Sequence, residues 1–160
     1  MSLAYKSTEI YLQPDVRYRS ILVAKLINCL MHKGKKSVAE KLIYQAMDHL
    51  KTRFEDKEPL EILETAINNI KPLVEVKSKR VGGATYQVPI EVSKKRQMSL
   101  AIRWMIEAVR NKKGKAAYLK FADEISDAYK RQGVSVTKRE NTHKMAEANK
   151  AFAHFGWSRY

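Results

Sequence analysis

The sequence predicts a mainly α-helical fold: a single-domain bundle of about six helices over residues 1–160, with one protruding two-stranded antiparallel β-hairpin. Apolar residues recur at helical spacing in several segments before residue 71 and after residue 93. Between these segments, two alternating runs flank the dipeptide Gly82-Gly83, which is typical of a hairpin. With 160 residues, of which 44% are hydrophobic and 30% charged, the chain can bury one core beneath a strongly ionic surface.

The first helix is predicted from an apolar run over residues 21–31. It should begin near Asp15 or Ser20 and end at Gly34, and its nearly all-round apolar sequence indicates a central position. Cys29 lies in this run and is the only cysteine, which favours a buried free thiol and excludes a disulfide-stapled secreted domain. Polar residues interrupt the run well short of the roughly 18 residues that a membrane-spanning helix needs, so no membrane partner is predicted.

Two more helices are predicted before the hairpin. Ser37 and Glu40 have the spacing of a capping box, in which each side chain satisfies a backbone N–H of the first turn. The second helix is therefore expected over 37–54. Pro59 begins a short third helix and Pro72 prevents its continuation, because proline suits only the first turn of a helix.

The hairpin is predicted over approximately 73–92. Pro89 has no N–H donor, which favours an edge strand and limits the sheet to two strands. A lone hairpin is marginally stable in water, so its tip should be mobile until it meets a partner. Its base should pack on the helices through four apolar side chains, Val74, Val76, Val88 and Ile90.

Three helices are predicted after the hairpin. Apolar residues at helical spacing cover 98–109 and 118–129, and Gly133 ends the second of these segments. Thr137 and Glu140 form another capping box, which should open a last helix. That helix is expected to continue to about residue 155, with one apolar face made of Met145, Ala148, Phe152 and Phe155.

The net charge of +14 is concentrated in one part of the sequence. Residues 71–115 hold twelve Lys or Arg against three Glu. Cations in this segment suit a phosphate backbone, because each neutralised phosphate releases condensed counterions. They fall in three clusters and one stripe with a seven-residue repeat: Lys77, Lys79 and Arg80; Lys94, Lys95 and Arg96; Lys112, Lys113 and Lys115; and Arg96, Arg103 and Arg110.

Solvated surfaces are the alternative explanation for these cations. Lysine commonly protects an edge strand from pairing, and Glu107 could pair with Arg103 one helical turn away. Edge protection needs only one or two charges, however, and one Glu cannot balance three Arg. We therefore favour nucleic-acid contact for the set.

A further cationic turn precedes the second helix. Lys35 and Lys36 stand where the helix dipole disfavours positive charge, so an anion bound by them and by the backbone N–H groups would relieve the conflict. An ordinary exposed turn is the alternative. Trp104 is expected to pack in the core, whereas base stacking and packing both remain open for Tyr86.

The search for catalytic chemistry finds no candidate. The sequence contains no phosphate-binding loop, dinucleotide fingerprint or nucleophile elbow, and its four histidines match no zinc-site spacing. We predict no catalytic residues, no metal, no cofactor and no small-molecule substrate. His143 and Lys144 are expected to contact solvent or RNA.

Several stretches resemble the universal small-subunit ribosomal protein seven family, in its bacterial or organellar form. The likeness spans about residues 15–155. It rests on Gly34-Lys35-Lys36-Ser37 with Ala39-Glu40, the hairpin over 74–92, Ala101-Ile102-Arg103-Trp104, and Met145-Ala146-Glu147-Ala148-Asn149-Lys150-Ala151-Phe152-Ala153-His154.

The resemblance implies a non-enzymatic, rRNA-binding protein of the small ribosomal subunit that works in translation and ribosome assembly. It implies a primary binder of the 3′ major domain of the rRNA that nucleates head assembly, beside other small-subunit proteins. It places the hairpin near the mRNA exit channel and the exit-site tRNA, on ribosomes of a bacterial cytoplasm or an organelle. The positions it assigns to RNA are Lys35, Lys36, Lys77, Lys79, Arg80, Lys94, Lys95, Arg96, Arg103, Arg110, Lys112 and Lys113.

One departure and two rival functions accompany this reading. The family usually begins with a strongly basic arm, whereas residues 1–14 contain only Lys6 and Glu9 as charged residues, so the resemblance does not extend arm contacts to this chain. A duplex-DNA-binding protein is disfavoured because no short helix-turn-helix pair precedes the basic helix. An RNA-modifying enzyme without a familiar motif is the other rival.

Overall fold

The computed structural model describes residues 11–156, so most of the segment without a basic arm, and the tail after Gly156, lie outside the described residues. The predicted fold class is confirmed, because the described chain is mainly helical with one two-stranded antiparallel hairpin. Its elements are α1 Ile21–Leu30, α2 Lys36–Arg53, α3 Pro59–Ile70, β1 Val74–Val81, β2 Ala84–Glu91, α4 Lys94–Asn111, α5 Ala117–Tyr129, α6 Val134–Ala148 and a 3₁₀ helix, Lys150–Gly156.

The core lies between α1, α2, α3, α4 and α5, which bury their apolar faces against one another. Met105 of α4 and Phe121 of α5 are fully buried there, and Trp104 is 8% exposed, which confirms its predicted packing role. No helix within residues 11–156 has the length and apolar character needed to cross a bilayer.

The first helix differs from its prediction in extent and surroundings. α1 starts after Ser20, as expected, but ends at Leu30, because Met31 already leaves the helical conformation with ψ 136°. Only one face, which includes Val23 and Leu26, is buried, so α1 is not a central helix. The predicted buried thiol is wrong as well, since Cys29 lies on the exposed side.

Neither predicted capping box exists. α2 begins at Lys36, one residue before Ser37, and its N-terminus has no side-chain cap. α6 begins at Val134 after Gly133, so Thr137 lies inside the helix, where its hydroxyl donates to the Gly133 carbonyl. The Ser/Thr-x-x-Glu spacing also occurs within helices, so it does not by itself mark a helix start. In both cases a glycine with positive φ, Gly34 or Gly133, stands in the turn shortly before the helix.

The hairpin has its predicted position and two-stranded extent. Gly82 and Gly83 both have positive φ, as a tight hairpin turn requires, and nothing lies within 4 Å of a Cβ built on either. The tip therefore projects into open space. The strand register places Val76 on one face and Val88 on the other. Val88 is buried, whereas Val74, Val76 and Ile90 are half-buried.

The last helix is shorter than predicted. α6 ends at Ala148, where the Asn149 side chain donates to the Met145 carbonyl at 2.8 Å and competes with continued helical bonding. Met145 and Ala148 are exposed, so the predicted apolar face is wrong for both. Phe152 and Phe155 belong to the 3₁₀ helix, which packs on the hairpin.

Candidate nucleic-acid interface

The arginine stripe of α4 lies on the side opposite the core. The helix buries Leu100, Ala101, Trp104, Met105, Ile106, Ala108 and Val109, and this burial orients it. Arg96, Arg103 and Arg110 are two helical turns apart from one to the next, and all three are exposed. Packing of one face thus aligns three guanidinium groups along about 20 Å of the other face.

The three arginines have different neighbours. Arg96 forms an ion pair of 3.3 Å with Glu75 of β1, and Arg110 donates to the Leu30 carbonyl at 3.3 Å. No carboxylate of residues 11–156 lies within 4 Å of the Arg103 guanidinium. Glu107, the partner considered for Arg103, instead forms an ion pair of 2.6 Å with Lys138. Arg103 is thus available to an external anion.

Glu75 joins the stripe to the hairpin, because its carboxylate also lies 3.7 Å from Lys77 Nζ. Lys77 and Lys79 are paired with Val88 and Tyr86, so they share one face of the hairpin, whereas Arg80 lies on the other face near the tip. Lys79 Nζ donates to the Phe155 carbonyl at 2.7 Å. The three hairpin cations are therefore not presented on a single face.

Tyr86 packs within the chain. Its ring is stacked on Phe155 with 4.8 Å between centroids, and the Phe152 ring is 5.3 Å away. This contact resolves the alternatives left open by the sequence in favour of packing. His143 likewise has an internal contact, because its Nε2 accepts a hydrogen bond of 3.0 Å from the Leu73 N–H. His143 is partly exposed beside this bond, and its contact with solvent or RNA stays a prediction.

Two helices begin with cations in place of acids. α2 starts at Lys36 after Lys35, and α4 starts with Lys94, Lys95 and Arg96; neither has an acidic residue in its first turn or a side-chain cap at its N-terminus. Positive charge at a helix N-terminus opposes the macrodipole. Lys36 lies 3.9 Å from Glu40, one turn ahead, and Arg96 is paired with Glu75 of β1. Both N-termini are thus suited to anions.

Two hollows connect the turn before α2 with the arginine stripe. The first is lined by Lys33 and Lys35, the second by Arg110 and Lys120, and the two share Leu30, His32 and Leu42. Arg110 also lines a third hollow together with Arg103. A connected surface rich in cations thus follows Lys35, Arg110, Arg103, Arg96 and Lys77, with Glu107 in the third hollow and Glu75 between the last two cations. Lys120 was missed in the sequence, because its place at the rim depends on how α5 packs against α4.

The fold gives Lys112 and Lys113 different surroundings. Lys112 Nζ lies 2.6 Å from Glu124, whose side chain is fully buried, and 3.7 Å from Asp127. Lys113 is exposed in the loop after α4. The assignment of all twelve cations to RNA remains a prediction, and Lys112 is distinguished by a carboxylate partner that is fully buried.

The family model described as Ribosomal protein S7p/S5e matches residues 3–150. The chain belongs to the ribosomal protein S7p/S5e family. Three bacterial relatives named small ribosomal subunit protein uS7 agree with this. The protein of Rhodopirellula baltica is 56% identical over 144 residues, which cover 89% of this chain and 92% of the relative. Those of Pelagibacter ubique and Sulfurihydrogenibium are each 54% identical, and the matches cover 90% and 91% of this chain and 92% and 93% of the relatives.

Membership in the ribosomal protein S7p/S5e family confirms the predicted resemblance. Members are structural, non-enzymatic components of the ribosome, and rRNA binding is general among them. The prediction that the chain is not an enzyme is confirmed on this ground, and the rival function of RNA modification is wrong. The cationic surface is therefore the natural candidate for contact with rRNA.

Proposed function

We propose that this chain is a primary binder of the 3′ major domain of small-subunit rRNA and that it nucleates assembly of the subunit head. The observation that supports this proposal best is the connected surface from Lys35 through the arginine stripe to Lys77. Cations spaced over several helices suit a folded RNA junction, because phosphates of different strands can be held at once by a rigid protein body.

The electrostatics of the surface favour an external polyanion. Arg103 has no carboxylate partner among residues 11–156, and neither cationic helix N-terminus has an acidic residue in its first turn. Neutralising each phosphate would release counterions and make the binding steeply dependent on salt. Shape recognition by the helical body would then provide the preference for one RNA fold.

The proposal includes the surroundings of the hairpin. Its exposed Gly82-Gly83 tip would lie near the mRNA exit channel and the exit-site tRNA, and head and platform proteins of the small subunit would be its protein neighbours. The ribosome would be that of a bacterium or an organelle. The uS7 relatives named above are bacterial, which favours the former.

Binding to a folded 3′-major-domain rRNA fragment, compared with a scrambled RNA of equal length across a salt series, tests the function. We expect tight binding to the native RNA and a preference that persists as salt rises. Equal affinities for the native and the scrambled RNA, lost together as salt rises, would show that the chain binds RNA only as a generic polycation. Duplex DNA as a competitor should displace the native fragment poorly, and effective displacement would instead favour the DNA-binding alternative.

The arginine stripe provides the matched variants for this assay. Arg103→Ala removes an exposed guanidinium that has no internal ion pair, so it should weaken binding and reduce the slope of log affinity against log salt by roughly one. Lys51→Ala is the control, because Lys51 is an exposed cation in the last turn of α2 and lines none of the three hollows. If Arg103→Ala has the same salt slope as the wild type, Arg103 is a solvated residue of the helix surface and does not contact phosphate.

A further inference from the structure

The two hollows beside α2 form one groove with an apolar floor. Leu30, Val38, Leu42 and Ala117 provide this floor from α1, α2 and α5. Val38, in the first turn of α2, is 60% exposed. The larger hollow has a volume of about 530 Å³, within the range of roughly 300–1,000 Å³ that ligand pockets occupy.

The rim of the groove is entirely cationic. Lys33, Lys35, Arg110 and Lys120 border it, and no Asp or Glu is among its lining residues. Two of these cations are held in place by carbonyl groups: Arg110 by that of Leu30, and Lys120 by that of Lys112 at 2.7 Å. A guanidinium has five donors and an ammonium three, so each retains donors for a second acceptor.

We propose that this groove receives the base of an unstacked, unpaired rRNA nucleotide, whose flanking phosphates are bound by Lys35, Arg110 and Lys120. The inference rests on the proposed function and adds a single-stranded element to it. An apolar floor inside a ring of cations complements a ligand that is flat and apolar in the middle and anionic at its edges. A continuous RNA duplex would leave the floor uncovered, because its bases are stacked and paired.

The same charge pattern disfavours an ordinary protein occupant. A peptide would need several acidic side chains around an apolar one, whereas the rim is continuous with the Arg103 and Arg110 surface proposed to bind phosphates. One RNA strand that passes from the arginine stripe into the groove would contact both surfaces. Covering the floor with a base should add roughly tenfold to the affinity, because apolar surface of both the floor and the base is removed from water.

Ala117→Phe tests the groove without altering its charge, because Ala117 is exposed and its new ring would occupy the floor. Ala148→Phe is the matched control on α6, an element that contributes no residue to the groove. With the folded 3′-major-domain fragment, Ala117→Phe should bind roughly tenfold more weakly with an unchanged salt slope. Ala148→Phe should bind as the wild type does.

Ultraviolet crosslinking with mass spectrometry identifies the occupant. In the wild-type complex we expect the base of an unpaired nucleotide to be joined to a peptide that contains His32 or residues 117–121, and this crosslink should disappear in Ala117→Phe. Val38→Glu is a second variant that cannot fail by unfolding α2, since an acid in the first turn is favourable to the helix dipole. It should weaken RNA binding, by repelling the phosphates.

Wild-type affinity of both groove variants for the RNA would overturn the inference and leave the proposed function intact. So would a variant that retains RNA binding and loses a neighbouring ribosomal protein, because the occupant would then be protein. A wild-type chain that does not distinguish native from scrambled RNA would overturn the proposed function, and the groove assignment with it.

Discussion

Lys112 Nζ lies 2.6 Å from the Oε2 atom of Glu124, a carboxylate with no exposed surface. The other oxygen of Glu124 accepts a hydrogen bond of 3.0 Å from the Ser135 N–H. Glu124 thus replaces the missing cap of α6, whose N-cap residue is Gly133 and has no side chain. Lys112 supplies the countercharge that makes a buried carboxylate tolerable.

Lys112→Ala should therefore destabilise the fold by about 3 kcal/mol, because it leaves Glu124 as a buried charge without its nearest cation. Urea denaturation followed by circular dichroism measures the loss. Lys113→Ala is the matched control and should change stability by less than about 0.5 kcal/mol, since Lys113 is an exposed loop residue. Equal stability of the two variants would show that the ion pair contributes nothing.

The double variant Lys112→Met with Glu124→Gln separates charge from packing. It removes both charges and keeps an oxygen that can accept from the Ser135 N–H. We expect it to recover a large part of the stability lost in Lys112→Ala, because a paired removal leaves no unpaired buried charge. If the stability losses from the changes at Lys112 and Glu124 simply add in the double variant, the two residues are not energetically coupled.

Gly133 supports the same junction through its backbone. It has φ +94° and ψ 170°, a conformation that is almost confined to glycine, and an added Cβ would lie 3.0 Å from Asp127 Cβ and 3.2 Å from Glu124 Oε1. Gly133→Ala should cost about 2 kcal/mol or more in the free energy of unfolding. The thermal midpoint and the urea midpoint should fall together.

Gly114→Ala is the control for backbone strain alone. Gly114 also has positive φ, at +85°, but nothing lies within 4 Å of the position of its Cβ. Gly114→Ala should lose roughly 1 kcal/mol in the free energy of unfolding, less than Gly133→Ala loses. If the two substitutions lower the free energy of unfolding equally, steric contact with Asp127 and Glu124 does not contribute to the loss at Gly133.

The helices and the hairpin could be predicted because their signals are local. Apolar spacing located α3, α4 and α5, and Gly82-Gly83 located the turn, since the residues that decide these elements are close in sequence. Cys29 shows where such signals fail. An apolar run looks the same whether one side or all sides of its helix are covered, and only the packing of α1 on its neighbours decides which.

The sequence could predict which cations supply the candidate surface, but not which carboxylates they are paired with. Lys112 and Lys113 are identical neighbours in the sequence, and the buried Glu124 that distinguishes them is a residue of another helix. The sequence offers Glu107 as a partner for Arg103 in the alternative explanation, but Glu107 is paired with Lys138 of α6. Partner choice among charges depends on tertiary contacts, which a single sequence does not contain.

Shortening the hairpin tests whether its tip is separate from the fold. Lys79 and Tyr86 are register partners, so deletion of Arg80, Val81, Ala84 and Thr85 leaves Gly82-Gly83 as a two-residue turn between paired residues. The contacts of Tyr86 with Phe152 and Phe155 are retained. Helical content and most rRNA affinity should be unchanged, whereas the function that we propose for the tip at the exit site should be impaired. A loss of helical folding would contradict a tip that projects into open space.

His143 gives the stability a dependence on pH. Its Nε2 accepts from the Leu73 N–H at 3.0 Å, which ties the start of β1 to α6 and requires a neutral ring. Burial, followed by the positive charge of Arg139, lowers the pKa of His143 below its ordinary value of about 6.5. The unfolded chain therefore binds this proton more readily than the folded chain does.

The contribution of His143 should be fully present above pH 6.5 and should decrease as the pH falls through 6.5 towards the lower folded-state pKa. His143→Gln is the matched variant, because its amide oxygen can accept from Leu73 without titrating. The free energy of unfolding of the wild type minus that of the variant should thus be constant from pH 7 to 8 and decline towards pH 5, while the other titrating groups cancel. A difference that stays level down to pH 5 would show that His143 does not titrate differently in the two states.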